Sequence, residues 1–229
     1  IAATKLLLKQ SSANISKILK GVIKDGNLNY LTNILQAYSF ESNKKSVDII
    51  QKEVSKSKSS AVQTALTYWP GEKQPERATS YTAPFINQSN TMVQKAATQS
   101  LSKIGSEESL IALASLLKSS DDESVALAKN ALMSFDGDIS YTLASVFDSS
   151  SDTGKKAILE LVSNRMMESQ YNLVYNQMFS DNVAVKTVAA NTPKDVVTNE
   201  NLDDLFVLLE QSDNDYIPAI QQAINSALS

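Results

Sequence analysis

One interval recurs along this chain and restricts what it can fold into. Ile23, Val54, Ile86, Leu117, Phe147, Met178 and Leu209 follow one another at steps of 30 to 32 residues. Four residues before each stands Leu19, Ile50, Thr82, Leu113, Leu143, Val174 or Leu205, and only the threonine is not apolar. A spacing of four joins neighbours on one face of a helix. A second series, Leu31, Val62, Val93, Val125, Lys156, Val185 and Ile217, repeats at steps of 29 to 32. Its partners three residues on are Ile34, Ala65, Ala96, Ala128, Leu159, Val188 and Ile220. Lys156 breaks the pattern, and Ala157 beside it is expected to turn inward in its place. Two apolar helices per period, in seven copies, predict an all-α chain of about seven helical pairs, each about 31 residues long.

The punctuation agrees with that period. Polar turns such as Asn87-Gln88-Ser89-Asn90, Ser119-Ser120-Asp121-Asp122, Asp148 to Asp152 and Ser180-Asp181-Asn182 fall between the two helices of a pair. Side-chain oxygens of Ser, Asp and Asn accept hydrogen bonds from the unpaired amides that open a helix, and acids there suit its dipole. The acidic pairs Glu107-Glu108, Asp121-Asp122 and Asp203-Asp204 are therefore read as caps and first-turn acids, not as catalytic carboxylates or calcium ligands. Ile104-Gly105, Phe135-Asp136-Gly137 and Thr192-Pro193 place helix stops after apolar ends. Pro218 is expected in the first turn of the last helix, where no amide bond is lost. Residues 70–79, PGEKQPERAT, are expected to form the longest irregular join, next to Tyr68 and Trp69, the latter the one tryptophan.

Composition removes whole classes of chemistry. With no cysteine and no histidine, disulfides, thiolate nucleophiles, imidazole acid–base catalysis and the usual zinc sites are excluded. No glycine-rich phosphate loop occurs, and no apolar run reaches the roughly 20 residues that span a bilayer. No catalytic residue, metal ligand or cofactor is expected. Charge is uneven: residues 1–60 carry ten lysines against four acids, and residues 61–229 carry eleven basic residues against twenty-one acids.

The segments VQKAATQSLSKIG (93–105) and VALAKNALMSFDG (125–137) resemble HEAT repeats, in the short bacterial form. The resemblance implies helical pairs stacked into a right-handed α-α superhelix, a solenoid with its second helices on the concave side, over 1–229 as a single domain. HEAT units often carry an arginine just after the inward valine. Here Gln63, Gln94, Ala126 and Lys186 stand there, so that arginine ladder is absent. One pair cannot bury its apolar face alone, whereas a stack makes a continuous core. The apolar last helix and the LLL at 6–8 suggest a fragment of something larger, and an extracytoplasmic location is expected if a signal segment was removed ahead of Ile1.

The expected function is a non-catalytic scaffold for protein–protein interaction or domain spacing. Its alternatives are an accessory module of a larger carbohydrate-active or other enzyme, and a HEAT-like lyase acting on tetrapyrroles. Candidate binding residues are the polar side chains assigned to the concave face: Asn33, Gln63, Thr67, Gln94, Thr98, Lys129, Asn130 and Gln222. Neutral amides and hydroxyls suit a peptide backbone first and a glycan second. Nucleic acid is disfavoured, because the N-terminal lysines include no arginine, have few aromatic neighbours, and precede an acidic remainder.

Overall fold

A computed structural model describes residues 12–25, 30–31, 52–53, 56–57, 59, 75–212 and 214–228. Among these residues every regular element is helical. The α-helices are α1 (Ser12–Asp25), α2 (Pro75–Thr82), α3 (Thr91–Ile104), α4 (Glu107–Ser115), α5 (Asp122–Met133), α6 (Ser140–Phe147), α7 (Asp152–Asn164), α8 (Tyr171–Gln177), α9 (Val183–Asn191), α10 (Leu202–Gln211) and α11 (Ile217–Ala227). Short 3-10 turns extend α2 at Ala83–Phe85 and α4 at Leu116–Lys118. The fold is thus all-α, built from helical pairs, as the period predicts. Two compact halves can be distinguished, Ile1–Leu113 and Ala114–Ser229.

In the first half α2 packs on α3. Here the structure corrects one expectation: residues 75–79 are not irregular, because α2 starts at Pro75. Proline at the first helical position loses no hydrogen bond and arrives with its φ already helical. The buried Thr79 hydroxyl is 2.8 Å from that of Ser109 and 2.9 Å from that of Ser106, joining α2 to the start of α4. Positions 50, 54, 62, 65 and 34 of the apolar series lie outside the described residues.

In the second half the layering is explicit. The second helices form a row, with α7 packed against α5 on one side and α9 on the other, and α9 against α11. Each is backed by the first helix of its own pair: the 3-10 end of α4 on α5, α6 on α7, α8 on α9 and α10 on α11. Leu117, Leu132, Leu143, Phe147, Val174, Leu205 and Ile220 are buried between them. Val146, Leu209, Ile217 and Ile224, expected in the core, are only half buried, and Val188 yields its inward place to Ala189. Pro218 falls in the first turn of α11, as expected.

The caps explain the register. Asn90, Asp121, Ser151 and Asn182 each accept from an amide two or three residues on. Three residues after each cap stand Val93, Ser124, Gly154 and Val185, all buried. Counted this way, the inward residue of α7 is Gly154, and Lys156 is simply out of register with the earlier valines. Ala157 is buried too, as expected, but one turn later.

Hydrogen bonds from the Ser124 hydroxyl (2.6 Å) and amide (3.0 Å) hold the Asp121 carboxyl below its ordinary value of 3.8. A folded-state value depressed in this way stabilises above the unfolded value, and that contribution disappears as pH falls through the folded one. Asp121→Asn, which keeps a capping oxygen, should flatten the acid limb of stability below pH 3.8 while leaving neutral-pH stability nearly unchanged. Asp121→Ala should lower stability at neutral pH. Thermal melts at stepped pH check both.

Candidate functional site on the row of second helices

Outward from the core, the row α5–α7–α9 presents a surface with two shallow grooves. Nine residues after their caps stand Asn130 on α5, Glu160 on α7 and Asn191 on α9, so stacking sets these three side chains in one line. The groove between α5 and α7, about 150 Å³, is lined by Asp122, Val125, Ala126, Lys129, Lys156 and Glu160 among others. The groove between α7 and α9, about 210 Å³, is lined by Glu160, Ser163, Asn164, Thr187, Val188 and Asn191 with Thr192. Glu160 borders both.

Polar contacts fix these walls. Lys129 Nζ donates to Glu160 Oε2 across the first groove at 2.6 Å. The two side chains are 35% and 41% exposed, and a pair so open to water contributes about 0.2–1 kcal/mol. It therefore orients Glu160 more than it stabilises the stack. Asn164 Nδ2 donates to the Glu160 carbonyl and Asn191 Nδ2 to the Thr187 carbonyl, 2.7 and 2.8 Å. Each amide is thus held at one end, with its oxygen left as the acceptor end. Ser163 Oγ, in the lining of the second groove, donates to an Asp195 carboxylate oxygen. Both volumes fall below the roughly 300 Å³ at which pockets enclose a small molecule. They suit single side chains of an extended ligand.

The residues singled out from sequence divide three ways. Asn33, Gln63 and Thr67 lie outside the described residues. Gln94 and Thr98 are corrected: they are 6% and 1% exposed and do not line an open face. The Gln94 amide donates to the Ile86 carbonyl at 2.8 Å, closing the end of the first helix of its own pair. Thr98 donates to Lys95 O within α3. On α3 both share a face with Ala97 and Leu101, which are fully buried. Lys129 borders the first groove, Asn130 is exposed beside it, and Gln222 is exposed on α11.

Sequence reading missed Glu160, Asn164 and Asn191, and also Arg165. The Arg165 guanidinium donates to the carbonyls of Leu132 (2.9 Å), Phe135 (2.9 Å) and Gly137 (2.6 Å), fastening the end of α7 to the end of α5. A link between neighbouring pairs therefore exists, though not at the position after the valine. An aromatic run on the other layer was missed as well. Tyr171, Tyr175 and Phe179 run along α8 and just past its end, with ring centroids 5.9 and 5.4 Å apart in tilted and edge-on contact, passing from buried to exposed. Tyr68 and Trp69 lie outside the described residues. Among the described residues no group of three or more His, Cys, Asp or Glu is placed to hold a metal ion. No helix among them is long and apolar enough to cross a membrane.

Residues 47–133 match the family model of HEAT repeats. These are HEAT-like repeats. No curated protein sequence matches the chain. Among solved structures, human deoxyhypusine hydroxylase in complex with glycerol is similar at 12% identity, covering 93% of this chain and 98% of its own, with a TM-score of 0.44. A designed armadillo repeat protein is similar at 13% identity, covering 84% of this chain and 98% of its own, with a TM-score of 0.39. An engineered protein from a structural genomics consortium is 15% identical over 99% of this chain and 77% of its own, with a TM-score of 0.40. The matched HEAT-like segment ends at Met133, the last residue of α5. The groove between α5 and α7 starts on that helix, and the groove between α7 and α9 lies on the pairs that follow, where the same cap register continues.

Proposed function

We propose that this HEAT-like chain is a non-catalytic interaction scaffold whose second-helix row, α5–α7–α9, takes an extended peptide segment of a partner protein. The line Asn130–Glu160–Asn191 carries the reading, because it repeats one polar position on three adjacent helices with a groove on each side of Glu160. Amides can accept from and donate to a peptide backbone without demanding a charged sequence. The small grooves take alternate side chains. Lys129 donates to Glu160 Oε2, so Oε1 is the atom that accepts from a donor at the ligand's centre.

Selection from a random peptide library on the intact chain, followed by titration of the recovered peptides, tests this. Asn130→Glu combined with Asn191→Glu should weaken binding at least about tenfold, or 1.4 kcal/mol, by placing three carboxylates in one line. Gln222→Glu, off that line on α11, should leave it unchanged. Recovery of no peptide, or equal binding by the double variant, rules the reading out.

A further inference from the structure

The boundary between the two compact halves is also a boundary of charge. Residues 1–113 contain fourteen basic and eight acidic side chains, net +6, whereas residues 114–229 contain seven and seventeen, net −10. On the first half the excess is concentrated. Lys17, Lys20 and Lys24 are exposed and recur at spacings of three and four, which puts them on one side of α1. Lys20 and Lys56 both approach the same carboxylate oxygen of Glu53, at 3.7 and 3.8 Å, and Ser16 donates to that oxygen at 3.1 Å. One carboxylate cannot neutralise two ammonium groups. Glu53 is also only 9% exposed, so an arriving partner meets the lysines and not the acid.

The negative charge of the second half is placed as regularly. Asp122, Asp148, Asp152 and Asp181 are all exposed, and all stand in or just after the turns that join first to second helices in three consecutive pairs. Since those pairs lie side by side, the four carboxylates share one edge of the stack. Polyanions such as nucleic acid fit this molecule poorly, because a net −10 half repels what the lysines attract. A ligand that presents carboxylates at helical-repeat spacing, with its own positive end elsewhere, fits without that penalty, and a second copy of the chain is such a ligand.

We infer that copies of this protein associate head to tail, the lysine side of α1 on one copy against the aspartate edge of α5, α7 and α9 on the next. Two different patches meet in such a contact, so each copy keeps a patch for another neighbour and the association can extend into a row. Exposed charges a Debye length apart are screened, about 10 Å at 0.1 M salt and 30 Å at 0.01 M, so association must weaken steeply with salt.

Sedimentation velocity of the full chain at about 0.02 M and 0.5 M salt should show association in the first and monomer in the second. Two neutralised variants extend the test, with circular dichroism confirming that each retains its helix content. Lys17→Gln, Lys20→Gln, Lys24→Gln together remove one patch. Asp122→Asn, Asp148→Asn, Asp152→Asn, Asp181→Asn together remove the other. Each variant alone should associate at least about tenfold more weakly at low salt. An equal mixture should form one-to-one dimers and nothing larger, since each variant supplies the single patch that the other lacks. Monomer at low salt overturns the inference. So does association indifferent to salt, or a mixture that behaves as its components do. Binding of the wild-type chain to anionic lipid vesicles with no self-association would assign the lysines to a membrane surface instead.

Discussion

Gly154→Ala should destabilise the protein by about 3 kcal/mol or more, although alanine is ordinarily the better helix former by about 1 kcal/mol. A Cβ at 154 would lie 1.9 Å from the Leu117 carbonyl oxygen and 2.9 Å from its carbon. The obstacle is backbone, which cannot swing aside as a side chain does. Nor is that carbonyl free to move, because the Ser151 amide and hydroxyl both donate to it, at 3.2 and 3.3 Å. The substitution must therefore pull α7 away from the end of α4, opening the contact between two successive pairs. Gly21 supplies the opposite case. It sits in α1 with nothing within 4 Å of where its Cβ would be, so Gly21→Ala should stabilise by up to about 1 kcal/mol. Thermal melts of the two variants should move in opposite directions, the first downward by roughly 6 °C or more for a chain of this size. Equal melts would show that α7 shifts at no cost.

Arg165→Ala should remove about 2–4 kcal/mol, from three charge-assisted hydrogen bonds onto carbonyls of the last turn of α5 and the connection after it. One side chain of the next pair thus ties the last turn of α5, at Leu132, to the connection that follows it, at Phe135 and Gly137. Geometry matters more than charge. Lysine carries the same charge but cannot spread a planar fork across three acceptors, so Arg165→Lys should recover less than half of the loss. The Asp138 carboxyl stands in the same connection. Hydrogen bonds from the Ser140 hydroxyl and amide hold it below its ordinary value, with a smaller contribution from the Arg165 charge. Arg165→Ala should raise it slightly towards 3.8. Denaturant melts give the stability change, and full recovery by lysine would contradict the fork.

The helical pairs were legible because their cause is local. Apolar residues four apart, and caps three residues before an inward position, act within one helix and leave a period in the sequence. Register between pairs was less legible. The valine series drifts by one or two residues as the turns lengthen, so Lys156 looked like a break when the cap Ser151 had already set Gly154 inward. Gln94 and Thr98 were assigned to an open face on polarity alone. Both share a face of α3 with the buried Ala97 and Leu101, and there Gln94 answers a carbonyl eight residues away. Glu160, Asn164 and Asn191 carry no motif, and only the stacking of α7 on its neighbours brings them to one surface. Arg165 spans 28 to 33 residues to its acceptors, a distance at which spacing in sequence says nothing.

The Leu117 carbonyl has a consequence for how such an array can be built or rearranged. Two donors of Ser151 and the bare backbone of Gly154 fit one carbonyl contributed by the preceding pair. The fit asks nothing of the leucine side chain, yet it requires that the preceding helix tighten and end at that place. A duplication or exchange that moved residues 140–164 alone would bring the serine and the glycine without their receptor. The inheritable module at this joint is therefore two pairs long, 107–164, and shuffling single 31-residue units would succeed elsewhere in the stack before it succeeded here.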